Sequence, residues 1–303
     1  LAQADWYTPD WLEKTLALAE ARFDAACDRW RGLYRSAITQ RDAQHKIEGD
    51  PSRSAEDRAQ ARRLRAEAEA QRDLLIAGKN VLQSDFYSYR YFASEGFLPG
   101  YNFPRLPLSA YIPGREKGKG DRKEYLSRSR FVAISEFGPR SIIYHEGSQY
   151  RINKVIMPVG DDVLTTSIKL CPACGYLHSV SASGAGMDRC ALCDSELGDP
   201  MERLFRLQNV ATRRVDRITS DEEERQRMGY EIKTALRFSE HGSRATCRIG
   251  TLVSDDGSEL MSLSFGQAAT IWRINMGWRR RTKNEALGFL LDVERGYWAK
   301  SKL

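Results

Sequence analysis

Four cysteines form two C-x-x-C pairs in the middle of the chain, and thiols at this spacing can chelate a metal ion. Each C-x-x-C turn directs two thiolates toward one centre, so two such turns can complete a tetrahedron around Zn²⁺. Four thiolates leave no coordination position for water, and we therefore expect a structural metal rather than a catalytic one. The predicted ligands are Cys171, Cys174, Cys190 and Cys193.

Other interpretations of these cysteines remain open, namely two disulfides or a redox-active C-x-x-C motif. Redox motifs of this kind occur singly, and disulfides require an oxidising compartment. His178 lies between the two pairs and is a further possible ligand, but four thiolates already fill the site, so we expect a polar surface histidine. Gly175 suits a backbone conformation that a Cβ would strain, whereas Asp194 occupies the equivalent position after the second pair.

Composition and charge restrict the class of protein. The 303 residues are 41% hydrophobic and 29% charged, which permits a real core in a soluble protein. We find no apolar run long enough to span a membrane and no secretory signal, and together with the metal pattern this indicates the cytoplasm. The net charge of +6 is compatible with a polyanionic partner. Because the chain begins at Leu1 rather than Met, we expect a fragment or a processed product.

The elements that must position the metal site predict an α+β fold. The sequence pattern of residues 1–80 predicts a long N-terminal helical hairpin. Thr8 and Ser54 are the N-cap candidates of its two helices, and a Gly-Asp-Pro turn separates them. Residues 81–303 predict a mostly antiparallel β body of short strands divided by turns. A four-cysteine zinc module at residues 168–198 is inserted in this body.

Two further stretches of the body give specific expectations. The apolar run Arg130–Glu136 predicts a strand. Ser264 with Gln267 resembles a capping box, and the apolar spacing that follows predicts a C-terminal helix ending in three consecutive arginines.

Several stretches, taken in order, resemble one protein family. They are similar to the C-terminal region of large bacterial DEAD/DEAH-type superfamily-two helicases, which include MrfA-like repair helicases and the helicases of DISARM-type phage defence. The resemblance covers roughly Asp85 to Trp298, and the helical hairpin is less diagnostic. Besides the four cysteines, the matching stretches are Phe86–Tyr91, Glu95–Pro104, Glu136–Pro139, Tyr144–Gly147, Trp272–Arg281 and Gly288–Phe289.

The resemblance implies a parent enzyme that hydrolyses ATP and moves on nucleic acid. This chain contains no G-x-x-x-x-G-K-[ST] phosphate loop, so we expect ATP and Mg²⁺ to bind only in helicase lobes upstream in the parent chain. We accordingly predict no catalytic residue and no ATPase activity in the present chain.

Two functions remain for such a domain. In the first we expect it to bind single-stranded DNA or RNA, with arginines on phosphates and aromatic rings on unpaired bases. An arginine run at a helix end also complements the helix C-terminus, so this interpretation has a structural alternative. In the second function the domain is a docking scaffold that braces the helicase lobes or recruits another repair or defence subunit. The nucleic-acid candidates are Arg273, Arg279, Arg280, Arg281, Trp272, Phe86, Tyr89 and Arg90.

Overall fold

The structure is a computed structural model of the chain. It describes residues 9–76, 88–100, 105–113, 124–157, 165–180, 187–217, 229–238, 240–241, 244–245, 247–266, 269–281, 286–293 and 295–299. The predicted cap Thr8 and the predicted domain boundary near residue 80 lie outside these ranges.

Two long helices, α1 (Pro9–Glu48) and α2 (Ala55–Ile76), form the predicted helical hairpin. Ser54 caps α2, because its Oγ accepts the Asp57 N–H at 3.0 Å while its hydroxyl donates to the Asp57 carboxylate at 2.8 Å. Small buried side chains, mostly alanines, line the helix contact and allow the two helices to approach closely.

Fourteen strands and two short helices make up the rest of the described chain. The helices are α3 (Ser88–Ser94) and α4 (Arg130–Glu136). The strands are β1 (Leu108–Ile112), β2 (Glu124–Arg128), β3 (Ile142–His145), β4 (Ser148–Val155), β5 (Thr165–Leu170), β6 (Leu177–Ser179), β7 (Met201–Phe205), β8 (Val210–Arg217), β9 (Tyr230–Phe238), β10 (Glu240–His241), β11 (Arg244–Ala245), β12 (Arg248–Val253), β13 (Glu259–Phe265) and β14 (Ala269–Trp278).

A five-stranded sheet in the order β2-β1-β8-β4-β3 forms the centre of the body, and only its β1–β8 pair is parallel. One face packs against α4 through Ala133 and Phe137, which are fully buried. The other face receives α2, where Ala70 packs with Tyr111 and Ala211. Alternate residues of β1 therefore serve two different cores, which is why all five of its positions are buried.

A second layer carries the cysteines. The three-stranded antiparallel sheet β6-β5-β7 packs against the ribbon formed by β9 and β14. Ile168 of β5 and Leu177 of β6 are fully buried, and they meet Ala235 of β9 together with Ile274 and Met276 of β14. The cysteine segments thus begin and end on strands that already share a core.

Strands β12 and β13 form a separate two-stranded hairpin, and every residue of both strands is exposed. Its turn places Gly257 at φ +82°, with the Gly257 N–H donating to the Ser254 carbonyl at 2.9 Å. The sequence Asp255-Asp256-Gly257 is typical of such a turn, but nothing in the sequence pattern indicates that the hairpin lies away from the core.

The α+β class, the helical hairpin and the predominantly antiparallel body are confirmed, but the predicted C-terminal helix is wrong. Residues 269–278 form strand β14, paired with β9 from Ala269 to Trp278. Ile274 and Met276 point into the core with a period of two, and pairing with β9 outweighs the local capping signal of Ser264. Gln267, the second half of that signal, lies outside the described residues.

The strand predicted at Arg130–Glu136 is also wrong, because this segment is helix α4. Ala133 and Phe137 are four residues apart and both contact the sheet, which is helical spacing. A short apolar run does not distinguish a strand from one face of a helix. Among the described residues, no helix is both long and apolar enough to cross a membrane.

Candidate metal centre and nucleic-acid interface

Two turns of equivalent geometry hold the four cysteines, and we name them the first knuckle (residues 171–176) and the second knuckle (residues 190–195). In each, the N–H of the first cysteine donates to the carbonyl five residues later, at 3.0 Å from Cys171 and 2.8 Å from Cys190. The N–H of the residue after the second cysteine donates back to the carbonyl of the first, at 3.0 and 2.9 Å. This repeated pattern aims both thiols of each knuckle in one direction.

The four sulfur atoms lie within 4.8 Å of one another. Two of these separations join the knuckles, at 3.5 Å between Cys171 and Cys193 and 3.6 Å between Cys174 and Cys190. A disulfide requires about 2.05 Å, so these are free thiols in the structure. Sulfurs at the corners of a tetrahedron around Zn²⁺, with bonds of about 2.3 Å, would be about 3.8 Å apart. The cluster can therefore hold one metal ion in a closed four-sulfur shell.

Burial and hydrogen bonding act differently on the four thiols. Hydrogen bonds from the Ser195 hydroxyl and N–H lower the pKa of Cys193 to about 6, which favours the thiolate that binds metals. Burial raises the pKa of Cys174 and of Cys190. A divalent cation supplies the positive charge that would keep these buried thiols ionised.

The residue after each second cysteine adopts a left-handed backbone. Gly175 has φ +72° and Asp194 has φ +59°. Glycine tolerates this conformation, whereas a residue with a Cβ is strained in it. Arg189 donates two hydrogen bonds of 2.9 Å to the Asp194 carboxylate, which holds the second turn in place.

The four-cysteine cluster packs on the end of β9. Tyr176 is fully buried, and its hydroxyl donates to the Phe238 carbonyl at 3.4 Å. Both rings share a core with Cys171 and Cys190. His178 is buried beside Tyr176 and lies outside the four-cysteine group, so the prediction of a surface histidine is wrong.

The predicted nucleic-acid residues at the end of the chain lie on β14 and the turn after it, not on a helix. Arg279 and Arg280 are exposed in this turn. Arg281 donates to the Glu231 carboxylate at 2.6 Å and to the Trp278 carbonyl at 3.2 Å, so it has a structural partner. Trp272 packs at the margin of the core shared by β5, β6, β9 and β14.

Arg273 lies instead against α4. Its guanidinium carbon is 3.8 Å from the ring centroid of Phe131, and its Nη1 donates to the Phe131 carbonyl at 2.6 Å. The Phe131 side chain is nevertheless 67% exposed. One face of an aromatic ring is thus covered by a cation while much of the ring remains open to solvent, an arrangement that suits stacking of a base.

The other predicted residues belong to α3 or precede it. Tyr89 is 64% exposed, whereas Arg90 is half-buried. Phe86 lies outside the described residues. The structure therefore places Arg273 against Phe131, a residue that was not among the predicted ones.

Sequence reasoning missed Phe131, and it missed a group of arginines near α3. Phe131 was missed because its segment was predicted to be a strand, and that prediction gave no indication that the ring would be exposed. The arginines come from separate parts of the chain, so no local spacing could reveal them. Arg29 and Arg206 both donate to the Glu95 carboxylate, over sequence distances of 66 and 111 residues.

Comparison of the chain with protein-family models, with curated proteins and with solved structures found no match.

Proposed function

We propose that this chain is a non-catalytic, nucleic-acid-binding domain of a larger ATP-dependent helicase, and that a structural Zn²⁺ stabilises it. The parent helicase rests on the family resemblance of the sequence alone. The observation that carries nucleic-acid binding is the exposed ring of Phe131 stacked on the Arg273 guanidinium.

The four-thiolate shell supports zinc over Mg²⁺ and Ca²⁺. Sulfur-only tetrahedral sites suit Zn²⁺ or iron–sulfur chemistry, while Mg²⁺ and Ca²⁺ require oxygen ligands. In such a site zinc would cross-link the two knuckles, and the residues that bind it would be Cys171, Cys174, Cys190 and Cys193. Elemental analysis of protein purified without added metal tests this identity, with iron as the result that overturns it.

Charge and exposed aromatic rings support a nucleic-acid partner. The chain has a net charge of +6. Single-strand-binding surfaces combine cations that follow the backbone with rings on which bases stack, and a stacked base contributes about 1–3 kcal/mol. Phe131 with Arg273 provides both components at one place.

The test is fluorescence anisotropy with a labelled oligothymidylate of twenty nucleotides at several salt concentrations. Phe131→Ala should weaken binding by about 1–3 kcal/mol, and Phe131→Trp should retain it. Phe265→Ala is a matched control, because Phe265 is 68% exposed but lies on the β12–β13 hairpin. Equal binding by Phe131→Ala and Phe265→Ala, both shown to be folded, would contradict the proposal.

A second candidate function, docking of the upstream helicase lobes, is favoured by the β12–β13 hairpin. The pairs Leu252–Met261, Gly250–Leu263 and Arg248–Phe265 lie on one face of it, and their large apolar side chains are 47% to 68% exposed. Its turn carries Asp255 and Asp256, whose charge disfavours a nucleic-acid backbone. The apolar face therefore suits a protein partner.

The two functions are separated by one pair of variants in the full parent chain. Leu263→Asp should release the upstream lobes in a limited-proteolysis assay if the hairpin docks them, and it should leave oligonucleotide binding unchanged. Phe131→Ala should have the reverse effect. Loss of oligonucleotide binding in Leu263→Asp alone would contradict both assignments.

A further inference from the structure

Three arginines from three parts of the chain lie near one carboxylate, and we name this group the Glu95 arginine cluster. Arg29 of α1 donates to Glu95 Oε2 at 2.7 Å, and Arg206, after β7, donates to the same oxygen at 3.2 Å. The third member is Arg130, on which both Glu95 and Arg206 act electrostatically. The Glu95 side chain is only 11% exposed, whereas those of Arg29 and Arg206 are 43% and 48% exposed.

Hydrogen bonds to the backbone fix Arg130 beside this pair. Arg130 Nε donates to the Leu106 carbonyl at 3.0 Å, directly after Arg105 in the chain. The Leu106 N–H donates in turn to Ser94 Oγ at 2.6 Å, and the Ser94 carbonyl accepts a hydrogen bond from Arg206. The cluster is thus held by connected hydrogen bonds and is not a chance meeting of long surface side chains.

The cluster has more positive charge than its carboxylate can neutralise. Besides Glu95, the charged groups that act on Arg130 are Arg206 and Arg105. Burial, with the repulsion of these two arginines, lowers the pKa of Arg130 to about 10. Among the described residues, the three guanidinium groups of the cluster therefore lie near one carboxylate, and two formal positive charges remain.

We propose that the Glu95 arginine cluster is a binding site for a phosphate group. Guanidinium groups match the geometry of phosphate oxygens, and several arginines converging on one point are typical of phosphate recognition. The phosphate comes either from a nucleic-acid backbone or from a free oxyanion such as pyrophosphate. The backbone source rests on the proposed function, because Arg130 is followed directly by Phe131, whose ring would receive a base.

Variants of the cluster should change anion affinity in opposite directions. Arg206→Gln removes a cation and should weaken pyrophosphate binding about tenfold, the loss of one charge-assisted contact. Glu95→Gln removes the carboxylate with which Arg29 and Arg206 pair and should tighten binding about threefold. If the ion pair between Arg206 and Glu95 were only structural, both variants would lower the stability of the protein and would not change anion affinity in opposite directions. Arg62→Gln is the control, since Arg62 pairs with Glu48 at the far end of the helical hairpin.

The experiment measures binding of pyrophosphate by calorimetry and of labelled oligothymidylate by anisotropy, at constant ionic strength. If Arg206→Gln weakens and Glu95→Gln tightens the binding of both ligands, the proposal is supported with the nucleic-acid backbone as the source of the phosphate. In that case the slope of log affinity against log salt for the oligonucleotide should fall by roughly one in Arg206→Gln. Opposite shifts for pyrophosphate alone support a free oxyanion.

Suppose that Arg206→Gln and Glu95→Gln both bind the oligonucleotide as tightly as Arg62→Gln does, and that their pyrophosphate affinity is also unchanged. This result would overturn the phosphate site at the cluster while leaving the proposed nucleic-acid binding at Phe131 intact. Wild-type protein that binds neither ligand overturns the cluster and the proposed function together. Circular dichroism of each variant ensures that these comparisons are made on folded protein.

Discussion

At the scale of single residues, the two knuckles place different side chains at the same left-handed backbone position. Each turns left-handed after its second cysteine, where Gly175 has no Cβ and Asp194 is held by Arg189. Aspartate is one of the few residues other than glycine that tolerate this region, because its short side chain can bond locally. The departure from glycine in the second knuckle is therefore compensated by a neighbouring ion pair.

Gly175→Ala should weaken metal binding. No atom lies within 4 Å of the position that its Cβ would take, so the cost is backbone strain alone, about 1 kcal/mol. That corresponds to roughly fivefold lower affinity in a competition titration with a chromophoric chelator. Asp194→Gly should bind metal more tightly than Asp194→Ala. Unchanged affinity in Gly175→Ala would show that this turn is not under the proposed constraint.

Cys190→Ser should abolish stoichiometric metal binding. Cys190 is 3% exposed, and a serine hydroxyl cannot replace its thiolate in a closed four-sulfur shell. Metal content by mass spectrometry should fall from about one ion per chain to nearly none. Cys27→Ser, a substitution in α1 far from the knuckles in sequence, should retain the metal. Full metal content in Cys190→Ser would contradict the ligand assignment.

At the scale of elements, the sequence predicted those whose signals are local. The cap at Ser54 and the paired cysteine spacing depend only on nearby residues, and both appear as predicted. Strand β14 and helix α4 were misassigned because their conformations depend on distant partners, β9 and the central sheet. The Glu95 arginine cluster could not be predicted from the sequence for the same reason, since its members meet only after folding.

The turn after α4 is closely packed against β9. A Cβ on Gly138 would lie 2.7 Å from the Tyr230 ring, and the Tyr230 hydroxyl donates to the Pro139 carbonyl at 2.8 Å. Gly138→Ala should therefore lower the free energy of unfolding by about 1–3 kcal/mol, measured by urea denaturation. Gly198→Ala is the control, because no atom lies within 4 Å of its Cβ position. Equal stability of the two variants would argue against this close contact.

At the scale of the whole molecule, the four-cysteine cluster packs with the end of β9, close to the base of the β12–β13 hairpin. Phe238, at the end of β9, packs with Cys171 and Cys190. A Cβ on Gly266, at the end of the hairpin, would collide with the Phe238 ring. The knuckles, the end of β9 and the base of the hairpin therefore meet at Phe238.

Chelation of the metal should loosen these parts before the rest of the chain. We expect amide hydrogen exchange to accelerate first in the knuckles, the end of β9 and the base of the hairpin, because they lose their shared core. Strands β1 and β8, which belong to the core shared with α4, should remain protected. Uniform acceleration across both cores would show that the metal stabilises the molecule globally.

The attachment of the helical hairpin has a mechanical consequence. Its contacts with the body include Phe23 and Arg29 of α1 and Glu67 of α2, whereas the connection between the helices follows Glu48. From Glu67 back to Ala55, the start of α2, the helix extends about 18 Å at a rise of about 1.5 Å per residue. A rotation of about 10° at the attachment would therefore displace the distal end by about 3 Å. Arg29 is both a contact of this attachment and a member of the Glu95 arginine cluster, so a small angular change there would be amplified along a rigid arm.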